Sequence, residues 1–479
     1  MKKRTKIVCT IGPACETEDT IAAMVKAGMN VARLNFSHGS YENHQMLIDT
    51  IRTVEEKTGH PIAIIQDLQG PKIRIGALPP KGIELKKGET VVFDTAIDQY
   101  DDEVIPVDYK DLHTYIEPKQ RLLLADGKIE TSVVDVVGTR ITALVVVPGT
   151  ITSHKGINLP DSNLTISAMT DKDRRDVRFG IEHDVDMIAL SFVTSAKDIL
   201  DLKFLIQEYQ KELGKEDREG IRIIAKIERQ EAVKRIDEIL DVADGIMIAR
   251  GDLGVEVRAE EVPLLQKRFI DLALEKAKPA IVATQMLDSM QVNPRPTRAE
   301  VSDVANAVID HADAVMLSNE TATGAYPVET VEMMAKIIHE TELSEYDTLP
   351  LRRYSRHDKQ ADIVMSEMSR VLAEDIGAKA ILAASISGDT GRLISRYRPE
   401  LPIAVATEDR RVQRQLNLSW GVIPFLLDTC HTIEELIERS MVELKTMRLV
   451  KDGDHMVVVA GEPVGQAGHI NLLVVREVK

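Results

Sequence analysis

The sequence predicts an α/β fold organised around a closed (β/α)8 barrel, and three observations lead there. Eight short apolar runs, residues 5–12, 31–35, 62–67, 187–191, 221–228, 245–252, 280–284 and 314–318, read as buried strands. Helical patterns separate most of them, which predicts parallel pairing, and eight such units suggest closure into a barrel. The runs end in polar residues, delivering Arg33, Asp67, Lys226, Glu228, Arg250, Asp252, Thr284 and Ser318 to one side. One charged strand end is ordinary; the same polarity at one end of unit after unit is what an active barrel face requires.

Taken in order, the first three runs belong to the barrel, and the pattern then changes. Between residues 72 and 167 helical periods vanish, and Val/Ile/Thr-rich runs at 90–93, 121–124, 129–137 and 140–147 alternate with Gly and Asp. This reads as a small all-β domain, a lid of β-barrel type over residues 71–167, inserted after the third strand. Helical periodicity resumes near residue 167, where Thr170 or Asp171 can cap a helix reaching His183. The barrel, residues 1–70 and 168–345, closes with a helix from Pro327 to about Leu343. A polar stretch at 344–360 reads as a linker. Beyond it, residues 346–479 alternate strand and helix again, with runs at 380–386, 391–397, 403–406, 412–416, 432–447, 456–460 and 472–475, giving an α/β domain with a mostly parallel sheet.

Composition bounds the function. A chain of 479 residues with net charge −17 has ample core and lacks the basic footprint that nucleic acid demands. Cys9, Cys15 and Cys430 show no metal-ligand spacing and fit no disulfide framework, so reduced thiols and a cytoplasmic location are expected. The basic start runs straight into a strand without a signal-peptide core, and no run is long enough to span a bilayer.

The strand ends carry chemistry that residue types alone suggest. Alternation puts Lys226 and Glu228 on the same side of their strand, a cation beside a carboxylate. Next to them, Gly251 lets a ligand approach the backbone and Asp252 adds a second carboxylate. Glu228 and Asp252 could together hold one Mg²⁺, a hard ion that completes its shell with substrate oxygens. Lys226 would stabilise negative charge growing on a phosphoryl group or an enolate. Phosphoryl transfer needs little beyond such positioning and neutralisation.

These segments, in order, resemble the pyruvate kinase family: KIVCTIGP at 6–13, ARLNFSHG at 32–39, IAKIE at 224–228, ARGDLGVE at 249–256, ATQML at 283–287 and PTRAE at 296–300. The resemblance spans the barrel, the inserted domain and, more loosely, the C-terminal domain. It implies Mg²⁺-dependent phosphoryl transfer from phosphoenolpyruvate to ADP, giving pyruvate and ATP in glycolysis, with Mn²⁺ as an alternative ion. By this likeness Arg33 holds the phosphoryl group, and Gly251, Asp252 and Thr284 receive the substrate carboxylate. Glu228 and Asp252 bind the metal, Lys226 stabilises the phosphoryl in flight and the enolate, and Thr284 and Ser318 lie near the face where the enolate is protonated. The nucleotide is expected at Asn35, Arg74 and Lys155, beneath a closing lid.

Many members of the family hold K⁺ at positions matching Asn35, Ser37, Asp67 and the Leu68 carbonyl. Here Lys72 replaces an acidic residue common at its position, and the resemblance implies that its ammonium substitutes for K⁺, so that no K⁺ is required. Ser385, Ser387, Gly388 and Thr390 form a strand-to-helix turn that resembles the family's loop for a phosphorylated effector, although Asp389 would repel an anion. A homotetramer is implied, without the further C-terminal domain that some bacterial relatives carry. Two other readings stay open at this level: another Mg²⁺-dependent barrel enzyme acting on pyruvate or its enolate, and a non-catalytic sensor on a retained scaffold.

Overall fold

The computed structural model describes residues 3–101, 103–162, 167–216, 220–350, 361–461 and 470–479. Most of the expected linker, residues 351–360, lies outside them. Strands β1 (Lys6–Thr10), β2 (Val31–Asn35) and β3 (Ala63–Asp67) open the barrel. The inserted region follows as β4 (Ile83–Leu85), β5 (Thr90–Asp94), β6 (Val104–Pro106), β7 (Arg121–Leu124), β8 (Ile129–Val137), β9 (Arg140–Val147), β10 (Gly149–Ile151) and β11 (Ile157–Asn158). The barrel resumes with β12 (Met187–Leu190), β13 (Arg222–Ile227), β14 (Gly245–Ala249), β15 (Ala280–Ala283) and β16 (Ala314–Leu317).

Eight parallel strands close in the order β1-β2-β3-β12-β13-β14-β15-β16 and back to β1. Period-two alternation sorts their side chains into two cores. Val8, Ile65, Ile224, Met247, Ile281 and Met316 fill the barrel interior. Their neighbours Ile7, Cys9, Ile223, Ile248 and Val282 pack outward against the surrounding helices. Those helices start where the sequence provides caps. Thr170 and Asp173 form a capping box that opens the helix Asp171–Glu182, and Pro327 occupies the first turn of Pro327–Glu342.

Strand β14 differs from expectation. It ends at Ala249 rather than Asp252, and Arg250–Glu256 is helical. Arg250 turns its guanidinium back onto Asp303, at 2.6 and 2.7 Å, and onto the Thr284 carbonyl at 2.9 Å. Gly251 and Asp252 therefore stand on the first turn of a helix at the barrel mouth.

The inserted strands form a six-stranded sheet, β11-β7-β8-β9-β5-β6, and a two-stranded ribbon, β4 with β10. Arg74 bridges to Gly156 beside β11, and Ile75 bridges to Val107 beside β6. This one segment thereby ties both edges of the sheet together, as closure into a small barrel requires.

The C-terminal sheet contains β17 (Ala380–Ala384), β18 (Ile403–Thr407), β19 (Val422–Leu426), β20 (His455–Ala460) and β21 (Leu472–Glu477), in the order β19-β18-β17-β20-β21. All pairs are parallel except β20 with β21. The sequence reading missed β19, whose Pro424 interrupts the strand signal and is tolerated at a sheet edge. It also missed the helix Ala361–Asp375.

This domain docks on the strand-start mouth of the barrel. Leu418 joins the barrel's interior cluster. Arg398 reaches Asp313 at 2.9 Å, the backbone of Trp420 donates to the same carboxylate at 3.1 Å, and Lys6 donates to the Val422 carbonyl at 2.6 Å. The guanidinium groups of Arg4 and Arg398 both lie over the buried Trp420 ring, at 5.0 and 5.1 Å from its centroid. Among the described residues, no helix is long and apolar enough to cross a membrane.

Candidate active site

The strand ends opposite the docked domain bring most of the expected residues together. Asp67, at the end of β3 and 1% exposed, gives one oxygen to Arg33 Nε at 2.6 Å and the other to Lys226 Nζ at 3.1 Å. Arg33 also donates to the Thr10 hydroxyl at 2.9 Å. Lys226 Nζ meets Glu228 Oε1 at 2.8 Å and the Ser191 hydroxyl at 2.7 Å. Two cations and two carboxylates thus alternate across β2, β3 and β13.

The electrostatics follow from this packing. Burial alone would raise the Asp67 carboxyl, but Arg33 and Lys226 hold it below the usual carboxylate range. Burial likewise opposes the Lys226 ammonium, but Asp67 and Glu228 raise it well above an ordinary lysine. Both carboxylates thus favour the charged form of Lys226, which suits it to act as a cation rather than as a base. Asp252 is pushed up to about 6, first by burial and then by the Glu228 charge, against Lys226 and Lys72.

That like-charged pair, Glu228 and Asp252, fits a hard divalent cation. Among the described residues no group of three His, Cys, Asp or Glu side chains forms a ready cage. A Mg²⁺ held there would take its remaining ligands from substrate or water.

Gly251 and Thr284 meet as a second subsite. The Gly251 N–H donates to Thr284 Oγ1 at 2.8 Å, and that hydroxyl donates to the Ala283 carbonyl at 2.6 Å. Thr284 holds a left-handed φ of 73°, and its carbonyl accepts from Arg250 at 2.9 Å. Ser318 follows β16, half-buried, with its backbone N–H on Glu320 at 2.7 Å.

The remaining positions are more dispersed. Asn35 pairs in register with Asp67, and its side chain accepts the Ser37 N–H at 3.1 Å. The Leu68 carbonyl accepts the Ser191 hydroxyl at 2.6 Å. Both Asp67 oxygens and the Leu68 carbonyl thus already have partners. Lys72 lines the cleft between barrel and inserted sheet with Asp252, Phe192 and Arg229. Arg74 and the exposed Lys155 lie on the inserted sheet, where Arg74 Nη1 donates to the His154 carbonyl at 3.2 Å.

Ser385, Ser387, Gly388 and Thr390 stand at the other end of the barrel. Arg222, which begins β13, reaches the Ser387 carbonyl at 3.1 Å, and Asp389 pairs with Arg392 at 2.8 Å. Sequence reasoning missed Ser191 as a site residue, although it ends one of the eight runs. It also missed Phe192, whose backbone N–H holds Glu228 Oε2 at 2.8 Å from a left-handed φ of 56°.

Two family models match the chain: the pyruvate kinase barrel domain over residues 2–331 and the pyruvate kinase alpha/beta domain over residues 363–476. A pyruvate kinase from Clostridium acetobutylicum is 41% identical over 480 residues, covering 100% of both chains. One from Thermococcus litoralis is 44% identical over 484 residues, covering 98% of both. The crystal structure of a pyruvate kinase from Cryptosporidium parvum superposes with a TM-score of 0.92 at 35% identity, covering 100% of this chain and 96% of that one. Full-length likeness in sequence and in fold leads to one conclusion: the chain belongs to the pyruvate kinase family of phosphotransferases.

Proposed function

We propose that the chain transfers the phosphoryl group of phosphoenolpyruvate to ADP, and that Lys226 carries the reaction as a permanently charged ammonium among Asp67, Glu228 and Ser191. That arrangement of partners supports the reading most strongly. Arg33 would grip the phosphoryl oxygens. Thr284 and the Gly251 and Asp252 N–H groups would take the substrate carboxylate, breaking the present Gly251–Thr284 bond. Glu228 and Asp252 would hold Mg²⁺, or Mn²⁺, which supplies neutralisation of phosphoryl charge when bound.

In transfer, the bond from phosphorus to the enol oxygen breaks as one to the terminal oxygen of ADP forms. Lys226 then faces the enolate left behind. A proton added at carbon, relayed through water near Thr284 and Ser318, completes pyruvate. Asn35, Arg74 and Lys155 would contact the nucleotide, with residues 71–167 as the lid. Residues 1–70 and 168–345 would be the catalytic barrel, and 346–479 the regulatory domain.

Activity is proposed without K⁺. The Lys72 ammonium lines the same cleft as Asp252, and the Asp67 oxygens that would ligate K⁺ are engaged by Arg33 and Lys226. Activation by a phosphorylated metabolite is proposed at Ser385, Ser387, Gly388 and Thr390. Of these, Ser385, Ser387 and Thr390 line a crevice at the carboxyl ends of β17, β18, β19 and β20, where ligands of open α/β sheets bind. A homotetramer and a cytoplasmic location complete the reading, the latter supported by three free buried cysteines.

The test is pyruvate formation from phosphoenolpyruvate and ADP with Mg²⁺, in K⁺-free buffer and after K⁺ addition. Equal rates in both are expected. Activity only with K⁺ would remove the Lys72 argument, and none in either would favour a sensor. Lys226→Met should slow transfer by about a thousandfold, leaving a measurable rate, with Mn²⁺ affinity kept; a loss of only a fewfold would remove Lys226 from its role.

A further inference from the structure

Lys226 has three N–H donors, and the structure gives it three acceptors: Asp67 Oδ1, Glu228 Oε1 and Ser191 Oγ. The third is chemically unlike the others. Ser191 is 2% exposed, and its oxygen stands 2.6 Å from the Leu68 carbonyl, which has no hydrogen to give. The single hydroxyl proton must therefore point at Leu68. This leaves the oxygen lone pairs facing Lys226 at 2.7 Å.

We propose that Ser191 is a positioning residue for phosphoryl transfer, its hydroxyl locked by the Leu68 carbonyl so that it aims the Lys226 ammonium. The inference rests on the role assigned to Lys226 above. The two carboxylates cannot do this alone, because each has another partner. Asp67 is shared with Arg33, and Glu228 is shared with the Phe192 N–H and is one of the proposed metal ligands. Ser191 carries no charge to be claimed by an incoming cation, and the backbone of the residue after β3 anchors it. It keeps one N–H of Lys226 fixed while the others exchange partners with substrate.

A mispointed ammonium loses more in the transition state than in the ground state, so the effect falls on kcat rather than KM. The experiment compares Ser191→Ala with the unaltered enzyme for kcat, KM for phosphoenolpyruvate, Mn²⁺ affinity and thermal midpoint, and repeats the substitution on a Lys226→Met background. Loss of a hydrogen bond to a charged group predicts kcat lowered about tenfold, with KM, Mn²⁺ affinity and midpoint nearly unchanged. On the Lys226→Met background the same substitution should change kcat by less than about twofold, because the group it aims is gone. Ser191→Cys keeps the side-chain shape, slightly enlarged, with a poor acceptor and should match Ser191→Ala, which keeps the test open if the alanine variant folds badly.

Unchanged kcat in both variants overturns the proposal. So does an undiminished loss on the Lys226→Met background, which would mark Ser191 as acting independently of Lys226. A Lys226→Met enzyme slowed only a fewfold would sink the Lys226 role itself, and the aiming function with it.

Discussion

Replacing Asp67 by Asn tests whether one buried carboxylate organises the whole cluster. The side chain keeps its volume, but an amide cannot offer two anionic oxygens to Arg33 at 2.6 Å and Lys226 at 3.1 Å. Lys226 retains Glu228, whereas Arg33 falls back on the neutral Thr10 hydroxyl. Breaking one buried pair by removing a partner costs about 3–5 kcal/mol. At about 2–4 °C per kcal/mol for a domain of this size, the barrel transition should fall by roughly 10 °C in calorimetry.

The pH dependence gives a second check with a definite sign. In the native chain Lys226 is held above its ordinary value, so its contribution is complete below that value and is lost only as pH rises through the raised one. Without Asp67, burial pulls the ammonium down. Where its folded value falls below that of the unfolded chain, stability rises with pH. The deficit of Asp67→Asn should therefore narrow between about pH 8 and 10. A midpoint close to that of the unaltered protein, or a deficit that widens over this range, would refute the reasoning.

Gly70→Ala should cost about 1–3 kcal/mol, because φ is 67° and a new Cβ would sit 2.8 Å from the Phe192 ring and 3.0 Å from Ser191 Cβ. Thermal unfolding reads the cost, and weakened Mn²⁺ binding reads displacement of the Phe192 N–H from Glu228. Arg250→Lys loses the paired contacts to Asp303 and the bond to the Thr284 carbonyl. Steady-state kinetics should show KM for phosphoenolpyruvate raised roughly tenfold as the Thr284 turn relaxes. Burial pushes Asp347 up to about 7, so the folded chain binds an extra proton below that pH and loses this stabilisation as pH rises through it. Asp347→Asn should flatten that decline, as unfolding midpoints at about pH 5 and 8 would show.

The barrel was legible because each strand is uniformly buried while the next element is amphipathic, so both periods stand out in the sequence. The cluster was legible in part for the same reason, since Lys226 and Glu228 lie two residues apart at a strand end. The turn after β14 was not. Whether residues 250–252 continue a strand or open a helix depends on Arg250 folding back to Asp303, a partner 53 residues away. Ser191 escaped notice because a hydroxyl at a strand end signals nothing until Leu68 and Lys226 are seen on either side of it. Strand β19 was masked by Pro424, whose missing N–H matters little at an edge.

The chain's single tryptophan is Trp420, with its ring against Arg4 and Arg398 and its backbone on Asp313. All intrinsic indole emission therefore originates at the seam between the barrel and the C-terminal domain. Undocking would expose the ring to water and shift its spectrum to the red, while swinging of the inserted sheet at the opposite mouth leaves its surroundings in place. The protein thus contains an optical gauge for one of its two interdomain boundaries, and a label for the other must be added.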